Sequence, residues 1–600
     1  MAPRRRLPAV DPITFVPLLE RRLGRRAARA VSHALVRLAG PAARARREPR
    51  LGLRTAGLCG LGRREEAIGA LTTVASSPDT DARLAAARYL IRLGRANEAY
   101  RALVEGGRRE IPSAGPARAR YLRLHARAAE EVGRYHEALD AARAALEEAP
   151  GDRALRDVVR RQERRLARFV PLRDRPAGRV SGYRGRNGRS LLIVNDGIVL
   201  RQTGYTVRTH QIARAQRTAG LDPVVLVVAH TGRLERPRRA AWRAGRRDGM
   251  DAESAGRLDD VPYVVLAETV RRAADDPAAV RLIDDASAHL TRLAPAVLHA
   301  ATPFSNAHLA AALRDRYGLP FVYEVRGFRE ETWLVKSGTG DTEADIYRLT
   351  RQADTEMMRA ADAVVTLGEG MRREIVSRGV PPERVAIAPN MVDTARFTPG
   401  PRDARIAARL GIASHEVVVG YISSFNAYEE TDRIVHAVAA LRRDGLPVRG
   451  LLVGDGFRRP SDERLAERVA PGAVLFPGRV AHAEIPAYYR LIDVFVIPRS
   501  DDRISRLVTP LKPYEALAAG RAIVASSVDA LAEILEEGVT ATFYDAGDTA
   551  GLTDAVRRLV TDEEARGRLG AAAREQAVAR HGLEGTGRRY RELYERLGVA

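Results

Sequence analysis

The chain has 600 residues, too many for one hydrophobic core, so we expect about three domains. It has a single cysteine, Cys59, which excludes an internal disulfide. It has no run of about 18 apolar residues, so no transmembrane helix is expected. The net charge of +23 comes almost wholly from arginine, because Lys336 and Lys512 are the only lysines.

The first 50 residues are strongly basic, with thirteen arginines against three acidic residues. Residues 13–39 have the spacing of an amphipathic helix, which can lie on an anionic membrane surface. The alternative is that the apolar face caps the next domain while the arginines stay solvated. No base-reading module is present, so nucleic acid is not an expected partner. The segment lacks the features of a signal peptide, which predicts a cytoplasmic protein, with peripheral contact at the inner membrane face as a second expectation.

Residues 51–168 are predicted to be helical and repetitive. Three similar segments have glycines at 62, 94 and 133, each followed by a Glu-Ala pair that opens a helix. This pattern resembles the tetratricopeptide repeat, whose concave face usually binds a protein or peptide. The alternative is a plain helical packing domain. We assign residues 1–170 to this helical domain and residues 171–189, which are rich in glycine and proline, to a linker.

From residue 190 onward, short apolar runs alternate with helical periods, the pattern of parallel sheets covered on both faces. A first domain, 190–398, has predicted strands at 191–194, 223–228, 261–266, 296–300, 320–325, 362–367 and 384–388. A second domain, 399–582, has them at 416–422, 448–453, 473–476, 493–497 and 522–525, and a last helix follows in 583–600. The predicted fold class is α/β, with two Rossmann-like domains preceded by an all-α repeat domain. Ligands bind in the cleft at the carboxyl ends of such strands.

The segment 509–520, Thr-Pro-Leu-Lys-Pro-Tyr-Glu-Ala-Leu-Ala-Ala-Gly, follows a predicted strand and opens a helix. The N–H groups at the helix start and the scarce amine of Lys512 predict a diphosphate site, with the backbone near Thr509 and Leu511 contributing. Glu515, one turn into the helix, is expected to accept hydrogen bonds from ribose hydroxyls. Its alternative role is to complement the helix dipole.

This segment resembles the donor-binding motif of family-4 retaining glycosyltransferases of the GT-B fold, in the branch that reads T-P-L-K-P-x-E-A. Four further segments resemble the family in the expected order: the glycine turn Gly204–Thr209, the stretch Phe321–Phe328, the signature Pro389–Asp393 with Phe397, and the G-x-G turn Gly454–Gly456. The resemblance covers residues 190–600.

The resemblance implies transfer of a sugar, with retention of configuration, from a nucleotide-sugar donor to a glycan or lipid-linked glycan acceptor, as in polysaccharide biosynthesis. It implies an acceptor-side first domain and a last helix that crosses back to it. In residues 190–600, no Cys/His cluster or D-x-D triplet suggests a metal site, so we expect no metal and no cofactor besides the donor, which is a co-substrate. The expected catalytic residues are Lys512, Glu515 and Arg326. The expected donor-binding residues are Gly204, Gly454, Gly456, Arg503, Arg506, Thr509, Leu511, Lys512 and Glu515.

The chain departs from the family in its acidic pair, which is usually spaced E-x7-E. Glu515 matches the second member, but Leu507 stands at the first position, with Asp501 or Asp502 as a nearby substitute. Two other functions therefore stay open: a non-catalytic interaction protein that binds a nucleotide sugar, and a nucleotide-sugar epimerase of the same fold.

It also departs in its cations. The segment 423–429 has none where the family often binds diphosphate, so Arg503, Arg506 and Lys512 are expected to supply the charge. Arg326 replaces a common histidine, and its alternative role is an ion pair with Glu324 or Glu330.

Three other residues have weaker assignments. The alternative for Gly204 is an ordinary strand-to-helix turn. His210 receives no role, and Asn390 is expected to shape the interdomain turn.

Overall fold

The computed structural model describes residues 32, 51, 54–56, 58–59, 63–77, 79–107, 114–172, 180–230, 256–268 and 277–600. The predicted basic helix at 13–39 therefore lies outside the described residues, Ser32 excepted, as do residues 173–179 of the predicted linker. The chain divides into two compact units, Met1–Arg168 with Thr339–Leu349, and Phe169–Gly338 with Thr350–Ala600. The domain boundaries inferred from the sequence at 170, 189, 398 and 582 stay predictions.

The described part of the first unit is helical, as predicted. Its helices are α1 (Arg64–Ala75), α2 (Thr80–Arg92), α3 (Ala96–Gly107), α4 (Gly115–Glu131), α5 (Tyr135–Glu148) and α6 (Arg153–Ala167). Gly94 and Gly133 have φ values of 69° and 79° in the turns before α3 and α5, a left-handed conformation that side chains disfavour. This requirement explains the glycines at two of the three repeat positions; Gly62 lies outside the described residues.

The first unit includes a segment that is distant in the chain, Thr339–Leu349. The Asp341 carboxylate accepts a hydrogen bond of 2.8 Å from Arg134, in the turn before α5. Asp345 accepts one of 2.8 Å from the backbone N–H of His136 and pairs with its imidazole Nδ1 at 2.9 Å. The glycine turn before α5 is therefore held by two carboxylates that follow it by about 200 residues.

The second unit contains both sheets. The first sheet has the described strands in the order β3-β4-β2-β1-β5-β6-β7-β8, and they pair in parallel except for β3 with β4. The strands are β1 (Arg186–Val194), β2 (Asp222–His230), β3 (Arg257–Leu258), β4 (Val261–Glu268), β5 (Pro295–Ala301), β6 (Phe321–Glu324), β7 (Ala363–Thr366) and β8 (Val385–Ile387). The helices are α7 (Gly204–Thr218), α8 (Pro277–Leu293), α9 (Phe304–Tyr317), α10 (Arg329–Ser337), α11 (Asp345–Ala360), of which residues 345–349 belong to the first unit, and α12 (Glu369–Ser377).

The second sheet is parallel throughout its described strands, in the order β11-β10-β9-β12-β13-β14. The strands are β9 (Val417–Ser423), β10 (Val448–Gly454), β11 (Val474–Gly478), β12 (Val494–Ile497), β13 (Ala522–Ser526) and β14 (Ala541–Tyr544). The helices are α13 (Ala404–Leu410), α14 (Thr431–Arg443), α15 (Arg459–Val469), α16 (Ile485–Leu491), α17 (Arg503–Leu507), α18 (Lys512–Ala518), α19 (Asp529–Ala532), α20 (Thr549–Thr561), α21 (Glu563–Arg580) and α22 (Leu583–Arg596).

The prediction of two doubly wound domains is confirmed, and each predicted strand is present. The central strands β1, β5, β9 and β12 are buried over most of their length, which is why they read as apolar runs. The strand β1 begins at Arg186, inside the predicted linker. The apolar pattern does not reveal this start, because the first half of the strand is exposed and polar. The short strands β3 and β14 were not predicted.

The last helix, α22, packs on the first sheet domain. A β-carbon on Gly587 would overlap the carbonyl oxygen of Ala215 in α7, so glycine allows the two helices to touch. The Tyr594 hydroxyl accepts a hydrogen bond from Gln216 at 3.0 Å and pairs with His299 at 2.8 Å. The chain therefore ends against the domain in which its first sheet lies.

Candidate functional site

The amine of Lys512 lies on the loop that follows β9. Its Nζ contacts the Glu429 carboxylate and lies 4.9 Å from the centroid of the Tyr421 ring. The same carboxylate, which is buried, accepts hydrogen bonds of 2.9 Å from the Ser423 hydroxyl and 3.0 Å from the Asn426 backbone. Lys512 therefore supplies a cation to the segment 423–429, which has none of its own.

Glu429 is not among the residues predicted from the sequence, because the visible feature of the segment 423–429 is its lack of cations. The sequence nevertheless contains a signal. The segment 423–429 ends in an acidic residue, and the donor motif contains one of the two lysines of the chain. Glu429 also closes a capping box with Asn426, which shapes the loop. Its carboxylate organises both the loop and the amine.

Burial and the neighbouring carboxylates, including the Glu429 carboxylate that the amine contacts, act in opposite directions on the protonation of Lys512. Burial lowers the pKa of Lys512 to about 7, although the negative charge of Glu515 favours the ammonium form. The Lys512 side chain as a whole keeps 22% of its surface exposed. An anion placed there would restore the ammonium by Coulomb attraction.

Glu515 lies one turn into α18, as predicted. Its Oε2 accepts a hydrogen bond of 2.7 Å from the Tyr489 hydroxyl. Burial raises the pKa of Glu515, against the Tyr489 hydrogen bond and the Lys512 charge. The helix itself has seven residues, so its dipole is a smaller source of positive potential than that of a long helix.

The loop after β9 is strained and closely packed. Phe425 and Glu430 have φ values of 47° and 30°, which non-glycine residues rarely adopt. A β-carbon on Gly454 would overlap the Ser423 carbonyl oxygen, and one on Gly456 would overlap that of Ser424. The two glycines of the G-x-G turn therefore let the β10 loop lie against the β9 loop. Their predicted contact with the donor stays a prediction.

The glycine turn of the first domain faces the donor motif of the second. Gly204 opens α7 after the N-cap Thr203, and a β-carbon on it would lie 3.1 Å from Leu511 Cδ1. Nearby, the Asn390 side-chain amide donates a hydrogen bond of 2.9 Å to the Thr509 carbonyl oxygen. The structure therefore brings Gly204, Thr509, Leu511 and Lys512 together where the two sheet domains meet.

Arg326 does not face the cleft as a free cation. Its guanidinium pairs with Glu324 at 2.8 Å and donates to the Thr209 hydroxyl at 2.7 Å, with 8% of the side chain exposed. Arg208 binds the other oxygen of Glu324 and donates to Asn390 Oδ1 at 2.9 Å. The alternative of an ion pair with Glu324 is correct, and the catalytic assignment loses its geometric basis.

Arg503 and Arg506 are also engaged elsewhere. Arg503 forms ion pairs of 2.9 Å with Glu331 and 2.6 Å with Glu374, both in helices of the first domain. Arg506 pairs with Asp501 at 2.8 Å. The expectation that they supply charge to the diphosphate is therefore not supported by their positions, because their partners are carboxylates of the protein.

The position of the missing family glutamate is apolar in structure as well as in sequence. Leu507 packs against the core of the first domain. Asp502 caps α17 by accepting from the Ser505 backbone at 2.9 Å, and Asp501 is held by Arg506. Both aspartates are therefore engaged within their own segment, and their role as a substitute stays a prediction.

A polar cavity of about 280 Å³ lies beside Glu515. It is lined by Ile198, Gln202, Val207, His210, Gln211, Arg214, Leu258, Asp259, Asp393, Arg396, Phe397, His482 and Glu515. His210, which received no role from the sequence, uses both ring nitrogens, toward the Tyr263 hydroxyl at 2.9 Å and Asp259 at 3.0 Å.

Within the described residues, no group of three or more histidine, cysteine or acidic side chains is arranged to hold a metal ion. Over the same parts of the chain, no helix combines the length and apolar character needed to cross a bilayer.

The two sheet domains match known protein families and structures. The family description "Glycosyl transferase 4-like domain" matches residues 203–391, and "Glycosyl transferases group 1" matches residues 416–562. Alpha-maltose-1-phosphate synthase of Mycolicibacterium smegmatis is 25% identical over 374 residues, which are 58% of this chain and 91% of that protein. Sucrose-phosphate synthase from Thermosynechococcus elongatus gives a TM-score of 0.54 at 19% identity, covering 68% of this chain and 98% of that one. The Anabaena protein HepE in complex with UDP-glucose gives 0.52 at 15% identity, over 68% and 99%.

Proposed function

Because this chain belongs to the family-4-like glycosyltransferases of the GT-B fold, we propose that it transfers a sugar from a nucleotide-sugar donor to a glycan or lipid-linked glycan acceptor, with retention of configuration. The observation that carries the proposal is the position of Lys512. Its amine reaches the loop after β9, a segment that has no cation of its own. Lys512 belongs to the donor motif, and Leu511 of the same motif lies next to Gly204 of the first domain.

The chemistry of transfer explains why a cation is needed there. When the bond between sugar and diphosphate breaks, negative charge develops on the departing diphosphate. A positioned ammonium stabilises that charge more than it stabilises the intact donor, so it lowers the barrier. In this proposal Lys512 supplies the stabilisation, and no metal or further cofactor takes part.

The low pKa of Lys512 fits this role. An amine that titrates near neutrality gains its proton as the diphosphate arrives and can lose it when the nucleotide leaves. The Glu429 carboxylate contacts the amine and also accepts a hydrogen bond from the Asn426 backbone, so it fixes the amine against the loop. In the proposal, Glu515 accepts hydrogen bonds from the ribose through the oxygen that does not bind Tyr489.

The acceptor attacks the face that the diphosphate leaves, and a donor phosphate oxygen takes its proton. This route needs no carboxylate base, which agrees with the apolar Leu507 at the first glutamate position. Contact with the cytoplasmic membrane face through the basic N-terminal segment, and a protein partner for the helical repeats, remain part of the proposal.

The test uses Lys512→Ala, with Lys336→Ala as the matched control because Lys336 is exposed at the end of α10. UDP-glucose, which HepE binds, is the first donor, followed by GDP- and ADP-linked sugars. We expect donor hydrolysis and sugar transfer to fall by at least 100-fold in Lys512→Ala and to stay unchanged in the control. Full activity of Lys512→Ala would remove the diphosphate assignment. Nucleotide binding without turnover of any donor would instead indicate a non-catalytic binding protein.

A further inference from the structure

The segment that leads into the donor motif belongs to the second sheet domain, yet it lies along the first. Helix α17 follows β12, and the donor motif begins at Thr509, two residues after the helix ends. Both sheet domains form one compact unit, in which α17 contacts α10 and α12 of the first domain. The chain that enters the donor motif is therefore in contact with a domain to which it does not belong.

The apolar part of this contact is formed by Leu507 and Val508, which both pack against the hydrophobic core of the first domain. A β-carbon on Gly370, near the start of α12, would lie 3.7 Å from the Leu507 carbonyl oxygen, so the two backbones lie close together there. The next residue, Thr509, is bound through its carbonyl oxygen by the Asn390 amide. Three consecutive residues, 507–509, therefore contact the first domain.

Arg503 supplies the ionic part of the contact. Its Nε lies 2.9 Å from the Glu331 carboxylate on α10, and its Nη2 lies 2.6 Å from the Glu374 carboxylate on α12. The side chain of Glu331 is 1% exposed and that of Glu374 is 10% exposed, so both carboxylates lie where salt and water screen a charge poorly. Because one planar guanidinium bridges carboxylates of two helices, it fixes both the distance and the orientation of α17.

We propose that Arg503 is a positioning residue for nucleotide binding. By holding α17 against the first domain, it keeps the adjoining segment 509–512 in the conformation that binds the donor diphosphate. The sequence predicted that Arg503 binds the diphosphate itself, whereas in this proposal it acts through the backbone of its own segment. The first domain then completes the donor site of the second. The inference rests on the proposed function for the identity of the ligand.

Loss of Arg503 should loosen this segment while the protein stays folded. Glu374 keeps its ion pairs of 3.0 Å with Arg351 and 2.9 Å with Arg378. Leu507 keeps its apolar contact with the first domain. A loosened segment occupies other conformations for part of the time, and the apparent affinity for nucleotide falls with the fraction of molecules that stay competent to bind.

The test compares Arg503→Ala and Arg503→Lys with Arg464→Ala, a control at an exposed position on α15 of the same domain. Hydrogen–deuterium exchange of the peptide 504–512 is measured without nucleotide, at about 0.05 M and about 0.5 M NaCl. Binding of UDP, or of GDP and ADP if UDP does not bind, is measured by calorimetry. Circular dichroism establishes that each variant is folded. Arg503→Gln, which keeps hydrogen-bond donors without the charge, replaces the alanine variant if that does not fold.

In Arg503→Ala, we expect exchange of the peptide to be at least about threefold faster and nucleotide affinity to fall about five- to tenfold. Arg503→Lys keeps the charge and should recover most of both losses. High salt should bring wild-type exchange toward that of the alanine variant, because the Arg503 side chain is 50% exposed and its ion pairs can be screened from that side. Exchange in the alanine variant should not depend on salt, and the control should behave as wild type.

The inference is overturned if exchange of the peptide is unchanged in Arg503→Ala. Weaker nucleotide binding at unchanged exchange would instead show that Arg503 contacts the nucleotide directly. Faster exchange with unchanged affinity also overturns it, because the segment would then bind nucleotide equally well when loosened. In both cases wild type still binds nucleotide, so the proposed function stands.

A wild type that binds none of the three nucleotides, but whose exchange depends on Arg503, contradicts only the proposed function. A wild type that binds none of them, and whose exchange does not depend on Arg503, contradicts both.

Discussion

Glu533 caps helix α12 where the helix's own N-cap residue, Gly368, has no side chain with which to do so. Its carboxylate accepts hydrogen bonds of 2.8 Å and 2.6 Å from the backbone N–H groups of Glu369 and Gly370. The carboxylate belongs to the second sheet domain and the helix to the first. A β-carbon on Gly368 would overlap Glu533 Oε2, so the glycine makes room for the cap.

The cap predicts a coupled pair of mutations. Glu533→Gln weakens the acceptor, and Gly368→Ala pushes the carboxylate away. Each should lower the free energy of unfolding by about 1 kcal/mol, the usual contribution of an N-cap. The double variant should lose less than the sum of the two, because both changes remove the same contact. Urea denaturation measures all three, with the exposed Glu536→Gln as control. Fully additive losses would show that the cap is not the shared cause.

Nucleotide affinity should depend on pH through Lys512. Its pKa near 7 means that the ammonium is present below pH 7 and is lost above it. UDP affinity should therefore fall by up to tenfold per pH unit between pH 7 and 9, where the phosphate, with a second pKa of about 6, is already ionised. Lys512→Arg keeps its charge throughout this range, so its affinity should stay flat. Calorimetry at four pH values distinguishes the two curves, and a flat wild-type curve would contradict the prediction.

The Asn390 side chain connects the first domain to the donor motif. Its amide N–H donates a hydrogen bond to the Thr509 carbonyl oxygen, and its Oδ1 accepts one from Arg208. Asn390→Ala should lower the free energy of unfolding by about 1–3 kcal/mol, because it leaves Arg208 with an unmet hydrogen bond. Asn390→Asp keeps an acceptor for Arg208 but loses the N–H that holds the Thr509 carbonyl. It should therefore be more stable than the alanine variant and still bind UDP more weakly than wild type. Equal UDP affinity in Asn390→Asp and wild type would show that the contact does not position the motif.

Glu324 is expected to be the most sensitive buried charge in the first domain. It forms ion pairs with both Arg208 and Arg326, and each of the three side chains is less than one-tenth exposed. Glu324→Gln leaves these guanidinium groups without their counter-ion, so we expect a loss of about 3–5 kcal/mol in the free energy of unfolding. Glu467→Gln, at an exposed site on α15, is the control.

The same residue predicts an acid dependence. Burial would raise the pKa of Glu324, but the charges of Arg326 and Arg208 hold it well below its usual range. Its contribution is therefore complete above the unfolded pKa of about 4.3 and disappears as pH falls through the lower native value. The stability difference between wild type and Glu324→Gln should be constant from pH 5 to 7 and shrink below pH 4. A difference that grows in acid would contradict the ion pair.

The order and type of the elements follow from local pattern, and the sequence alone therefore determined much of the fold. Buried parallel strands are continuous apolar runs, and they were recognisable wherever both faces are covered, as in β9 and β12. Where a strand is half exposed, as at the start of β1, the apolar run is interrupted, and the observed start differs from the predicted one. The position of Lys512 at the start of a helix in the donor motif could also be predicted, because the rarity of lysine and its place in the motif are visible in the sequence.

Only the tertiary structure decided the partners of the charged groups. Lys512 meets Glu429, Arg326 meets Glu324, and Arg503 meets carboxylates of another domain. The segment 339–349, far along the chain, joins the helical unit for the same reason. A charge attracts any opposite charge that the fold brings near, whatever their separation in sequence, whereas periodicity records burial and nothing about which side chains meet. In a chain so rich in arginine, the sequence offers many partners for each carboxylate, and packing selects among them.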